Sequence, residues 1–170
     1  MTTTEKTERY EELLLQLKGL TEGGGYWTGM LANVSAAIHD MMGFLWVGFY
    51  LVCDGKLRLG PFQGPVACYS IDYGRGVCGT AWQQRRTIVV DDVELFPGHI
   101  ACSSLSRSEI VVPLTARLRF DGTAIVGADM PDVVGVLDID SDATATFDST
   151  DKAYLERACR IIAEAMEPRP

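Results

Sequence analysis

The sequence predicts an α+β domain, an antiparallel sheet of about six strands flanked by N- and C-terminal helices. Three observations carry this. Apolar residues recur at spacings of three and four near both ends of the chain. Short runs rich in aromatic and β-branched residues fill the middle. Short turns join adjacent runs, which pairs neighbouring strands antiparallel.

Each element has its own signature. Tyr10, Leu13, Leu14, Leu17 and Leu20 predict an amphipathic helix over 6–20, broken by Gly23, Gly24 and Gly25. Trp27, Met30, Leu31, Val34, Ile38 and Met41 repeat the pattern over 27–42. Residues 44–52 read as a buried strand, Asp54-Gly55 as a hairpin turn, and 56–60 as the return strand. Residues 61–65 are too rich in Pro and Gly for regular structure. A short strand is expected over 66–71, and a tight turn feeding a short helix over 74–86. Strands follow over 87–90, 109–117 and 133–139, the last two joined by a long connection over 118–132. Asp148-Ser149-Thr150-Asp151 is an N-cap cluster. The helix behind it carries Leu155, Ala158, Ile162 and Met166 on one face.

Composition bounds the function. With 170 residues, 47% hydrophobic and 22% charged, the chain is expected to form a single domain over 1–170 with one real core. A net charge of −8 argues against nucleic acid, whose binding rests on Lys and Arg. The longest apolar run, 44–52, is too short to span a bilayer, so no membrane is expected as a partner. The polar start has no secretory pattern, and the expected compartment is the cytoplasm. Five cysteines without a CxxC or a close Cys/His pair suggest neither a disulfide framework nor a metal site. The glycines of 74–79 do not form a strand–GxGxxG–helix unit, so neither a dinucleotide nor any other cofactor is expected.

One stretch, 96–114, runs from a Pro-Gly loop into a strand and is dense in reactive groups: His99, Cys102, four serines, Arg107 and Glu109. His99 or Arg107 could depress the pKa of the Cys102 thiol. Asp138 and Asp140 lie two apart on a strand and so share a face, where mutual repulsion would raise one pKa and furnish a proton donor. Glu109 could join them, because its strand is expected to pair with theirs. Trp46 and Tyr50 also share a face and could wall a pocket for a thioether or methyl group, whereas Phe49 reads as core. Cys78 sits where a helix N-terminus can stabilise a thiolate, and Cys68 beside a Pro-Gly loop. Cys53 and Cys159 read as structural thiols, and burial as a small hydrophobe competes with reactivity for every cysteine.

Several segments occur together in order: WVGFYL at 46–51, LGPFQG at 59–64, GRGVCGTA at 74–81, GHIAC at 98–102, SEIVVPL at 108–114 and GVLDIDS at 135–141. Together they closely resemble the free methionine-(R)-sulfoxide reductases, which are built on a GAF domain, from about residue 10 to the last helix. The resemblance implies a GAF-like fold and reduction of free L-methionine-(R)-sulfoxide to methionine, with thioredoxin as the reductant. It implies Cys102 as nucleophile, Cys68 as resolving cysteine and Cys78 as a secondary resolver. It places Trp46, Tyr50, Glu109, Asp138 and Asp140 at substrate-pocket positions. Backbone N–H groups of the 100–104 loop are candidates for the substrate carboxylate. Two departures stand out: Ser103 replaces the Asp that the family usually places after the Ala-Cys pair, and the 118–133 segment is longer than the family's turn. GAF domains often dimerise through helices, so the terminal helices are the expected surface of a homodimer. A non-catalytic GAF small-molecule or redox-sensing module, and a structural domain with inert cysteines, are the competing readings.

Overall fold

Two strands from opposite ends of the chain form the middle of the sheet. In the computed structural model, which describes residues 1–22, 26–120 and 131–167, β1 (Trp46–Cys53) pairs antiparallel with β6 (Asp132–Ser141). β2 (Lys56–Gln63) and β3 (Ser70–Asp72) extend the sheet on one side, β5 (Ser108–Ala116) and β4 (Ile88–Val90) on the other. The order is β3-β2-β1-β6-β5-β4, and every pairing is antiparallel, the six-stranded α+β arrangement the pattern predicts.

The two-residue period of the strands sorts the sheet into two faces. Val47, Phe49, Ile110, Val112, Leu137 and Ile139 point to one core, with α1 (Thr3–Glu22), α2 (Trp27–Met42) and α4 (Ser149–Met166) over it. Trp46, Tyr50, Val111 and Val136 point the other way, to a smaller core shared with α3 (Gly76–Gln84). The helical faces are those predicted: Tyr10, Leu13, Leu14 and Leu17 of α1, and Leu155, Ala158, Ile162 and Met166 of α4, are buried.

Side chains fix the start of α4. Asp148 accepts from the N–H groups of Thr150 and Asp151, while Asp151 accepts from the Asp148 N–H, a capping box. Lys6 Nζ bridges Asp148 at 2.9 Å and Asp151 at 2.6 Å, and the Tyr10 hydroxyl donates to Asp151 at 2.7 Å. The buried Asp151 carboxylate is thus fully engaged, and α1 is tied to the start of α4.

Two sequence expectations are corrected. The return strand does not stop at Gly60 but runs through Pro61 to Gln63. Gly48 pairs with Phe62 and Tyr50 with Leu59, so Gly60 and Pro61 together face Phe49 alone. That bulge leaves Pro61 where its missing N–H breaks no ladder bond. The strand expected over 66–71 shrinks to Ser70–Asp72, and residues 65–69 form an irregular strap. Of the long 118–132 connection, residues 121–130 lie outside the described residues, as does the glycine triplet 23–25.

Candidate active site

The smaller core opens into a cleft. Its floor comes from three neighbouring strands, and register decides its composition. Asp140 stands opposite Trp46 on one side and Glu109 on the other; Asp138 stands opposite Gly48 and Val111. Three acids and two aromatic rings therefore share one face. The cleft encloses about 610 Å³ of atom-free space, its open mouth included, and Cys78, His99, Cys102 and Ser106 also line it.

The aromatic wall is held from both ends. Trp46 stacks against Tyr50 at 6.0 Å and Phe62 at 5.2 Å between ring centroids. A Cβ on Gly48 would run into the Trp46 indole and Phe62 Cβ, so this glycine lets the indole lie across the sheet. Trp46 Nε1 donates to the Pro65 carbonyl at 3.0 Å, and the Tyr50 hydroxyl donates to the Cys68 carbonyl at 2.9 Å. The wall thus grips the 65–69 strap, whose cysteine forms a disulfide with Cys102 on the opposite lip.

The acids sit in a dry setting. Glu109 and Asp138 are each only 6% exposed. Burial, reinforced by the charges of neighbouring acids, pushes both well above the usual carboxylate range. Asp140 is pushed up to about 6 by burial, held there against a further rise by a hydrogen bond from Ser106 Oγ. One oxygen of Asp138, Oδ1, is buried without a hydrogen-bond partner among the described residues.

Several sequence expectations change here. Cys78 does sit in the first turn of α3, but it is fully enclosed. Burial first, then Asp138 and Glu109, raise its thiol well above the ordinary range, so the expected thiolate stabilisation by the helix end does not prevail. His99 Nε2 lies 4.0 Å from Glu109 Oε2. Burial lowers the His99 pKa while it raises that of Glu109, and both shifts work against an ion pair here. Arg107 is exposed and does not line the cleft. Cys53 is exposed, not a buried structural thiol, whereas Cys159 is buried and its thiol pushed up to about 12. In the 100–104 loop, the Cys102 N–H is already donated to the Ile100 carbonyl at 3.0 Å. Ser106 and the Leu45 and Pro65–Ala67 lining are absent from the sequence reading; the serine lies in a loop with no period to aim it, one of four indistinguishable candidates.

The GAF domain family matches residues 28–166, most of the chain. The chain belongs to the GAF domain family. Within it, the chain is 41% identical over 165 residues to the free methionine-R-sulfoxide reductase of Saccharomyces cerevisiae, covering 92% of this chain and 85% of the yeast protein. It is 50% identical over 158 residues to GAF domain-containing protein A of Dictyostelium discoideum, covering 92% of each. It superimposes on the free methionine-R-sulfoxide reductase of Neisseria meningitidis, solved with its substrate, with a TM-score of 0.85 at 44% identity, covering 98% of this chain and 93% of that one. In this GAF domain, then, the cleft on the α3 side of the sheet sets a disulfide-bonded pair of sulfurs beside a cluster of buried acids whose pKa values are raised.

Proposed function

We propose that the protein reduces free methionine-(R)-sulfoxide to methionine. The observation that carries this reading is the Cys68–Cys102 disulfide at the cleft whose floor is Glu109, Asp138 and Asp140. The similarity to reductases named for this substrate supports it.

With the pair reduced, the Cys102 thiolate attacks the sulfoxide sulfur. The departing oxygen needs a proton, and Glu109 and Asp138, kept neutral by burial, are carboxylic acids that can supply one. The protonated oxygen passes from the substrate sulfur to the Cys102 sulfur as the bond between the two sulfurs breaks, so methionine leaves and Cys102 becomes a sulfenic acid. The Cys68 thiolate then displaces that oxygen as water and forms the disulfide. A dithiol reductant, thioredoxin in the family this chain resembles, takes over the disulfide and returns both thiols. Cys78 is a poor resolver by comparison, since its thiol is enclosed and its thiolate disfavoured.

Recognition follows from the same residues. The thioether end packs against Trp46 and Tyr50. Asp140, ionised for the most part above pH 6, attracts the ammonium group of a free amino acid. That preference disfavours a peptide-bound residue, which has no ammonium there. A small-molecule-binding module gives no reason for the sulfur pair, and a redox-sensing module gives none for the acid floor beneath it.

The test is turnover of free methionine-(R)-sulfoxide with dithiothreitol or thioredoxin, measuring methionine. Cys102→Ser should abolish it. A folded wild-type chain that forms no methionine would sink the reading.

A further inference from the structure

The floor of the cleft holds more ligand atoms than the reduction needs. Cys78 Sγ from α3, a carboxylate oxygen of Glu109 from β5 and one of Asp138 from β6 all lie within 4.8 Å of one another, and all three residues are buried. They come from segments 31 and 29 residues apart (109 − 78 and 138 − 109), so no spacing in the sequence reveals them. Asp138 shares side-chain hydrogen bonds with Cys78 and Glu109, yet these contacts leave the trio incompletely satisfied. The Cys78 thiol reaches Glu109 Oε1 only at 4.0 Å, and Asp138 Oδ1 has no hydrogen-bond partner among the described residues. Buried oxygens without partners are rare enough to require a cause. His99 Nε2 stands 4.0 Å from the other Glu109 oxygen.

We infer that Cys78, Glu109 and Asp138 form a binding site for a divalent cation of the zinc class. The donor chemistry selects the ion. One sulfur and two carboxylate oxygens, with a fourth position left to solvent, suit a borderline-soft, tetrahedral cation. Magnesium and calcium take oxygen ligands and gain nothing from the thiol. Binding converts the thiol and the carboxylic acids to their anionic forms and releases their protons to solvent. Asp138 Oδ1 then acquires a partner. The ion sits on the floor against which the substrate of the proposed reaction would rest, so an occupied site and a bound sulfoxide exclude one another; this last consequence depends on that reading, whereas the site itself does not.

The experiment uses the full chain with the Cys68–Cys102 disulfide intact and with Cys53→Ser, which removes the exposed free thiol. Cys159 lies in the opposite core, under the helices. Zinc and cobalt(II) are titrated after chelator treatment. The expected result is about one ion per chain and a thiolate-to-cobalt charge-transfer band, as a Cys-containing tetrahedral site gives. Cys78→Ser should remove the band, and Asp138→Asn should weaken zinc binding at least about tenfold. Cobalt binding without a thiolate band, no retained ion, or unchanged zinc affinity in folded Asp138→Asn would each overturn the site. The band is read on the parent chain, so the outcome does not hinge on any variant folding. Methionine formation by the metal-free, reduced protein tests the reductase reading separately.

Discussion

Ser106 Oγ donates a hydrogen bond to Asp140, and it is this loop serine that holds the acid's pKa down to about 6 in a setting that would drive it higher. Ser106→Ala should therefore raise the Asp140 pKa and shift the acid limb of the kcat/KM profile to higher pH. Loss of one hydrogen bond to a charged group, about 1.5–3 kcal/mol, makes the ionised fraction of Asp140 at pH 7 roughly two- to fifteenfold smaller, and KM should rise in proportion. A pH–rate profile for free methionine-(R)-sulfoxide with the variant and the parent checks it. An unmoved limb would mean that another group sets it.

Cys68→Ser separates attack from recycling. The Cys102 thiol remains, so one equivalent of methionine should form in a burst. Steady-state turnover with thioredoxin should fall by at least about a hundredfold, because the sulfenic acid then waits for an external thiol. Rapid-quench measurement of methionine per chain distinguishes the phases. Steady-state rates equal to the parent would show that Cys68 does not resolve.

The buried acids make stability depend on pH in an unusual direction. Asp140 binds its proton more tightly folded, at about 6, than at the ordinary value of 3.8. Between those values the folded chain holds more protons than the unfolded one, so this group's contribution is fully present below about pH 4 and is lost as pH rises through 6. Asp148 runs oppositely: Lys6 and the α4 N–H groups offset its burial and hold it down to about 2, so its contribution is lost only in strong acid. Asp140→Asn should flatten the fall between pH 4 and 6 and gain on the order of 2 kcal/mol relative to the parent on going from pH 4 to 7. Urea midpoints across that range supply the measurement.

Gly48→Ala should cost stability and disturb the pocket together. The added methyl has no room beside the Trp46 indole and Phe62, and crowding of this kind typically costs about 1–3 kcal/mol. Because the indole must move, its hydrogen bond to the Pro65 carbonyl weakens too. Denaturant unfolding and the intrinsic fluorescence spectrum should both change, with KM raised more than kcat is lowered.

Much of this was legible before any coordinates, and the reason is periodicity. The stripes on α1, α2 and α4 follow from spacings of three and four, and Asp138, Asp140, Trp46 and Tyr50 fall on one face because strands alternate. Glu109 joined them through strand pairing, which two neighbouring apolar runs imply. What failed to show lies where periodicity stops. Ser106 and the 65–67 lining belong to loops, whose side chains are aimed by tertiary contacts alone. Pro61 read as a stop, because a bulge two residues wide cannot be inferred from one strand. Cys78 read as a stabilised thiol because its helix is visible in sequence, whereas the sheet that encloses it is assembled from residues far away.

The two hydrogen bonds from Trp46 and Tyr50 to the 65–69 strap have a practical bearing on redesign. The rings that would meet a substrate's side chain also carry the backbone on which Cys68 rides. Carving a wider cavity by trimming either ring would loosen the tether of the second sulfur. An engineered variant accepting bulkier sulfoxides would then react once and regenerate slowly, unless the strap were braced by a new contact elsewhere. Under the proposed reaction, substrate scope and catalytic lifetime would both be adjusted by the same two side chains.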